Sequence, residues 1–267
     1  MGRPRLPVWD EFGRGEEVIL CLSGFASANW MFRSWLEPLH DSYRFLLPEN
    51  RGMGRSPPAT TPYTIDDLAQ DALHLLDHLA IDRCSVIGLS MGGFIAQRLV
   101  NIAPQRVNSL VMLCTSSGGE KFQPLFPLMT REQIEAIYRL DAETRIRAAL
   151  SPQICPVLQE RYPTVFAEVL RQRLQHQEER DQVLLQYDAV ADFLRLPQPL
   201  AEIHCPTLLL SADQDLLVPV ANAQLLAQSI PQAELQVIAE TDHLFFLEKA
   251  ATVCHLIGNW LAEKGDR

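Results

Sequence analysis

The run Gly88-Leu89-Ser90-Met91-Gly92-Gly93 carries the first chemistry legible in the chain. A serine set between glycines as G-x-S-x-G suits a sharp, strained turn that lifts a hydroxyl clear of the backbone, where larger neighbours would collide with the flanking strand and helix. The context fits, since the apolar run 85–87 precedes the motif and the helix-like run 94–100 follows it. Such a helix aims its N-terminus at the hydroxyl, and the Met91 N–H would then stabilise negative charge developing on a bound carbonyl. Ser90 is therefore the candidate nucleophile, and acyl transfer the candidate chemistry.

A serine hydroxyl is a weak nucleophile at neutral pH, so it needs a base within hydrogen-bond reach and a carboxylate to fix the base's tautomer. Seven histidines are available: His40, His74, His78, His176, His204, His243 and His255. Only His243 lies in a polar turn, Glu240-Thr241-Asp242, just after the last strand-like run, and so near the sheet edge that should carry the serine. His74 and His78 fall in a helical pattern and His204 precedes a strand-like run, positions for which surface or capping roles suffice. Two carboxylates compete to orient the base, Asp213 and Asp215 in Ser211-Ala212-Asp213-Gln214-Asp215, and pattern alone does not choose between them. Glu120 is a distant third candidate.

These residues need a frame. Short apolar runs rich in Val, Ile, Leu and Cys recur at 18–22, 45–47, 85–87, 110–114, 207–210 and 235–238, a length suited to strands buried on both faces. Segments of helical spacing lie between several of them. In 64–79, Ile65, Leu68, Ala69, Ala72, Leu75, Leu76 and Leu79 line one face and Thr64 can cap the start. Strand alternating with helix predicts an α/β fold with a mostly parallel sheet covered on both sides. The alternation stops over 117–200, where helical patterns run from 130 to 140 behind a Thr130/Gln133 capping-box spacing, from 164 to 178, and from 181 to 196. We read 1–116 and 201–267 as the core and 117–200 as a helical insertion, a candidate lid.

Composition narrows the function class. The chain has 267 residues and is 47% apolar, enough for a full core. A formal net charge of -10 argues against a grip on phosphate backbones, so nucleic acid is not an expected partner. No signal-peptide pattern and no membrane-length apolar run is present, and the expected location is the cytoplasm. Cys21, Cys84, Cys114, Cys155, Cys205 and Cys254 form no Cys-x-x-Cys pair and no metal-ligand spacing with histidine, and Cys21, Cys84 and Cys114 sit in apolar runs as core filling.

With these residues in hand, nearly the whole chain resembles the α/β-hydrolase family, and within it small bacterial esterases and enol-lactonases. Leu22-Ser23-Gly24-Phe25 is similar to that family's oxyanion segment, and 48–56 (Pro-Glu-Asn-Arg-Gly-Met-Gly-Arg-Ser) to its Asp-x-Arg-Gly-x-Gly-x-Ser loop. Residues 206–219 resemble its acid-bearing strand and loop, and Asp242-His243-Leu244-Phe245 its histidine loop. Four ordered matches are more specific than the serine turn alone. The resemblance implies Ser90, Asp215 and His243 as the catalytic set, with Asp215 favoured over Asp213 by spacing, and the backbone N–H groups of Phe25 and Met91 as the oxyanion hole. It implies no cofactor and no metal, and a small or medium ester or lactone as substrate. Ser23, Glu49 and Asp242 depart from the family's usual His, Asp and Gly, and Asp242 is expected to raise the pKa of His243 by adding negative charge. Arg51 is expected to knit loops together beneath the site. The lid should roof the pocket with apolar side chains drawn from Phe122, Phe126, Met129, Ile137, Phe166 and Phe193. The same catalytic set also serves C–C bond hydrolysis, aminopeptidase action and acyl transfer, and a non-catalytic ligand-binding relative is the alternative outside enzymes.

Overall fold

The computed structural model of the chain describes residues 6–122, 130–151, 153 and 156–265. The strands are β1 (Trp9–Phe12), β2 (Glu17–Leu22), β3 (Tyr43–Pro48), β4 (Cys84–Leu89), β5 (Val107–Leu113), β6 (Thr207–Ala212) and β7 (Ala233–Ile238). They form one sheet in the order β1-β3-β2-β4-β5-β6-β7, parallel throughout except for β1, which runs antiparallel along β3. All six expected strands are present. The additional strand, β1, escaped the sequence reading because its four residues, Trp-Asp-Glu-Phe, place only Phe12 inside.

Successive residues of a strand point to opposite faces, and here each face has its own core. Ile19, Cys21, Phe45, Leu47, Ile87, Leu89, Val111 and Leu113 join one cluster with Trp35 and Phe245. Leu20, Leu22, Leu46, Cys84, Val86, Leu110 and Met112 join the other with Leu68, Leu76 and Ile95. Continuous apolar runs rather than alternating ones are what a doubly covered parallel sheet requires.

The helices follow in chain order: α1 (Trp30–Leu36), α2 (Ile65–His78), α3 (Met91–Ile102), α4 (Arg131–Ile137), α5 (Ala142–Leu150), α6 (Pro156–Arg161), α7 (Pro163–Gln175), α8 (Arg180–Arg195), α9 (Val220–Ser229), α10 (Phe245–Glu248) and α11 (Ala250–Gly265). Both capping boxes form: Thr64 and Asp67 close the start of α2, and Thr130 and Gln133 that of α4. Among the described residues between β5 and β6 no strand occurs, and α4 to α8 fill the interval. α8 reaches the core through side chains that bind peptide groups. Gln182 accepts from Ala59 N at 2.7 Å and donates to Ala59 O at 3.1 Å, and Gln186 accepts from Ala26 N at 2.6 Å. Among the described residues no helix is long and apolar enough to cross a membrane.

Candidate active site

Ser90 stands between β4 and α3 with φ 54° and ψ -117°, a strained conformation for a residue bearing a Cβ. Three bonds hold it there: its N–H donates to Leu113 O at 2.9 Å, and its carbonyl accepts from Gly93 N at 2.8 Å and from Thr115 Oγ1 at 2.7 Å. The neighbouring glycines answer to close packing. A Cβ on Gly92 would lie 1.9 Å from Leu22 O, and one on Gly88 would lie 2.6 Å from Gly92 O. A Cβ on Gly24 would come within 4.0 Å of Ser90 Oγ, so the segment after β2 runs directly beside the hydroxyl. Met91 is the first residue of α3, at the positive end of the helix.

His243 follows β7 in the loop leading to α10, and its Nδ1 lies 2.8 Å from Asp215 Oδ2. The pair is enclosed, with side-chain exposures of 6% for His243 and 0% for Asp215. The other oxygen of Asp215, Oδ1, accepts the backbone N–H groups of Leu217 at 2.9 Å and Val218 at 2.8 Å. Asp213 points elsewhere and accepts from Thr241 N at 3.3 Å. Asp215 thus closes the turn that follows it, and Asp213 links its loop to the histidine loop. Glu120 is exposed and lines a surface groove with Pro197 and Leu200.

Burial of the imidazole opposes its charged form, but the adjacent Asp215 carboxylate and the contact with Cys114 outweigh it and hold the His243 pKa well above 6.5. Asp242 sits against Glu248, its N–H 3.3 Å from Glu248 Oε2. Burial, then the charge of Asp242, raises the Glu248 pKa to about 8.

Ser90 and His243 line one cavity of about 430 Å³, together with Gly24, Phe25, Leu217 and Phe246. A second cavity of about 600 Å³ lies under α4, α5 and α7 and is lined by Ile134, Ile137, Tyr138, Ile146 and Leu150. Phe25, Gln153 and Arg173 line both. Of the six apolar side chains expected over the pocket, Ile137 lines the second cavity. Phe193 stacks on Phe94 at 4.6 Å, Phe122 packs on the same core cluster, and Phe166 packs on the opposite one. Phe126 and Met129, like Cys155, lie outside the described residues. Sequence reasoning passed over Arg173, although a signal existed: it occupies the apolar stripe of α7 set by Phe166, Val169 and Leu170.

Arg51, expected to knit loops together, ties its loop to α2, and Glu49 holds the same loop from within. Arg51 forms a two-pronged ion pair with Asp71 at 2.7 and 2.8 Å and faces the Tyr63 ring at 5.3 Å. Buried Glu49 accepts from Arg55 N at 2.6 Å. Cys21, Cys84, Cys114 and Cys254 are buried free thiols and Cys205 is half-buried. Among the described residues no group of three or more His, Cys, Asp or Glu side chains is placed to hold a metal ion.

A 3-oxoadipate enol-lactonase of Acinetobacter baylyi is 28% identical over 249 residues, 92% of this chain and 89% of that protein. A poly(3-hydroxyalkanoate) depolymerase of Ectopseudomonas oleovorans is 26% identical, covering 93% of this chain and 86% of its own. The crystal structure of a hydrolase from Pseudomonas aeruginosa PA01 superposes with a TM-score of 0.82 at 30% identity, over 95% of this chain and 93% of that one. The family model for the alpha/beta hydrolase fold matches residues 17–250, and the chain belongs to that family.

Proposed function

We propose that the protein hydrolyses a small or medium carboxylic ester or lactone through an acyl-enzyme on Ser90. The observation that carries the reading is the enclosed His243–Asp215 pair at 2.8 Å, with His243 and Ser90 lining one cavity. With the Nδ1 proton shared with Asp215, the Nε2 lone pair of His243 accepts the Ser90 proton as Oγ attacks the substrate carbonyl. The backbone N–H groups of Phe25 and Met91 receive the charge that develops on the carbonyl oxygen. His243 then gives its proton to the leaving oxygen and activates water against the acyl-serine. In this reading 117–200 is a cap over a core made of 1–116 and 201–267, and the Ile134, Ile137, Ile146 and Leu150 side of the cavity beneath it takes the substrate's apolar part. The lactone named for the Acinetobacter relative and the polyester named for the depolymerase both carry the bond this chemistry breaks.

The test is hydrolysis of p-nitrophenyl esters of graded acyl length, with mass spectrometry after a fluorophosphonate probe. Turnover with the probe's mass on the Ser90 peptide, both lost in Ser90→Ala, is the expected result. Turnover that survives in Ser90→Ala overturns the proposal.

A further inference from the structure

Arg173, on α7, lines both cavities and so stands where the space beside Ser90 meets the space beneath the helices. Its Nη1 donates to Ala26 O, and its guanidinium lies 5.9 Å from the centre of the Trp30 ring. Its Nε is buried without a hydrogen-bond partner. The other arginines of low exposure each have a carboxylate: Arg51 has Asp71 at 2.7 Å, Arg98 has Asp66 at 2.5 Å, and Arg106 has Asp77 at 2.7 Å. Among the described residues Arg173 has none at ion-pair distance.

The acid whose charge reaches it, Glu178, lines the second cavity with it but stands beyond ion-pair distance and bonds Gly54 instead. The two oxygens of that carboxyl lie 3.0 and 3.3 Å from Gly54 N, and burial lifts its pKa to about 7. A guanidinium stays protonated even where burial lowers its pKa, as it does here, so a cation without an ion-pair partner faces the cavities. Holding such a charge away from water is costly unless an anion joins it, and the planar fork of donors suits a carboxylate. Arg145, which lies over the Tyr138 ring at 4.6 Å, adds a second cation to the lining of the larger cavity.

We propose that Arg173 receives a carboxylate of the substrate, so that the preferred substrate is an ester or lactone that also bears a free carboxylate group. The assignment rests on the proposed hydrolysis at Ser90 and narrows its substrate class. The carbonyl sits at Ser90 while the carboxylate reaches Arg173 at the cavity junction. Arg173 would thereby fix which end of the molecule faces the nucleophile.

The experiment compares p-nitrophenyl hemiesters of succinate, glutarate and adipate with their methyl-capped neutral counterparts, in wild type, Arg173→Met and Arg173→Lys. A charge-assisted bond predicts that wild type favours at least one hemiester over its capped form by about 10- to 100-fold in kcat/KM. That ratio should fall to near one in Arg173→Met and recover in part in Arg173→Lys. A second readout needs neither turnover nor a variant: glutarate should inhibit probe labelling of Ser90 in wild type, and neutral glutaramide should not. No hemiester preference, or a preference unchanged in Arg173→Met, overturns the inference while leaving the hydrolase reading intact. If no ester is turned over, binding of glutarate to wild type that is lost in Arg173→Met upholds the carboxylate site and removes the hydrolase reading instead.

Discussion

Replacing Asp215 by asparagine changes one atom and, by the geometry of its loop, should reverse the tautomer of the base. Oδ1 of Asp215 accepts two backbone N–H groups, from Leu217 and Val218, at 2.9 and 2.8 Å. An asparagine must keep its oxygen there, because its amide nitrogen would confront two donors. The amide nitrogen therefore takes the other position, 2.8 Å from His243 Nδ1, and donates to it. The ring proton moves to Nε2, and the lone pair that should accept the Ser90 proton disappears. Recovering the competent tautomer means turning the amide over and leaving both N–H groups unbonded, at about 1–3 kcal/mol each. The sum, about 2–6 kcal/mol, puts the competent form at about one part in 30 to about one part in 3 × 10^4, and kcat/KM on a p-nitrophenyl ester should fall by that factor. Asp213→Asn, which disturbs only a 3.3 Å contact with Thr241 N, should fall less than about threefold. The pH profile adds an independent check. Since the Asp215 carboxylate raises the His243 pKa, the wild-type acid limb should lie above 6.5, with activity lost as pH falls through it. Asp215→Asn should shift that limb downward. The reasoning is refuted if Asp215→Asn retains more than a third of wild-type kcat/KM with an unmoved acid limb, or if Asp213→Asn is the more damaged.

The Glu248 carboxyl, its pKa raised to about 8 by burial and by Asp242, keeps its proton in the folded state where the unfolded chain has released it. Stability should therefore drain away as pH rises from about 4.5 toward 8, and Glu248→Gln, after discounting for partial exposure, should gain about 1–2 kcal/mol at pH 8 and little at pH 5. Thermal melts of both proteins across that range test this, and a constant gap in Tm would sink it. Gly92→Ala places a methyl 1.9 Å from Leu22 O, so β2 and α3 must separate. Ser90 labelling by a fluorophosphonate should slow by more than about tenfold, and Tm should drop by several degrees. Labelling at the wild-type rate would show that the turn has slack.

What the sequence discloses here divides along physical lines. Ser90 and the buried strands β2 to β6 were legible because their signals are local: a glycine-flanked serine needs a strained turn, and a strand covered on both faces needs an unbroken apolar run. β1 was hidden because an edge strand with one buried residue has no such signature. The choice between Asp213 and Asp215 rested on resemblance, since residues two apart share a face near a strand end. What separates them is a turn in which Asp215 caps Leu217 and Val218, with the histidine loop arriving from 28 positions away. Arg173 was missed because an apolar stripe on a helix reads as core, and the charge interrupting it gains meaning only when two cavities are seen to meet there.

The way α8 fastens to the core bears on how this molecule can change. Gln182 and Gln186 grip peptide groups of Ala59 and Ala26, and a peptide group is the same whichever side chain it carries. At Ala59 and Ala26 the joint is therefore indifferent to side-chain composition, whereas Met53 and Phe25 share an apolar cluster with Val183 and Leu184 of α8 through their side chains. Exchanges at Ala59 leave these bond partners in place, while an exchange at Phe25, which packs on that cluster, also disturbs the attachment of α8. The protein thus fastens α8 by two kinds of contact, one blind to side chains and one that is not, so a change of cavity lining at Phe25 carries a cost in docking that a change at Ala59 does not.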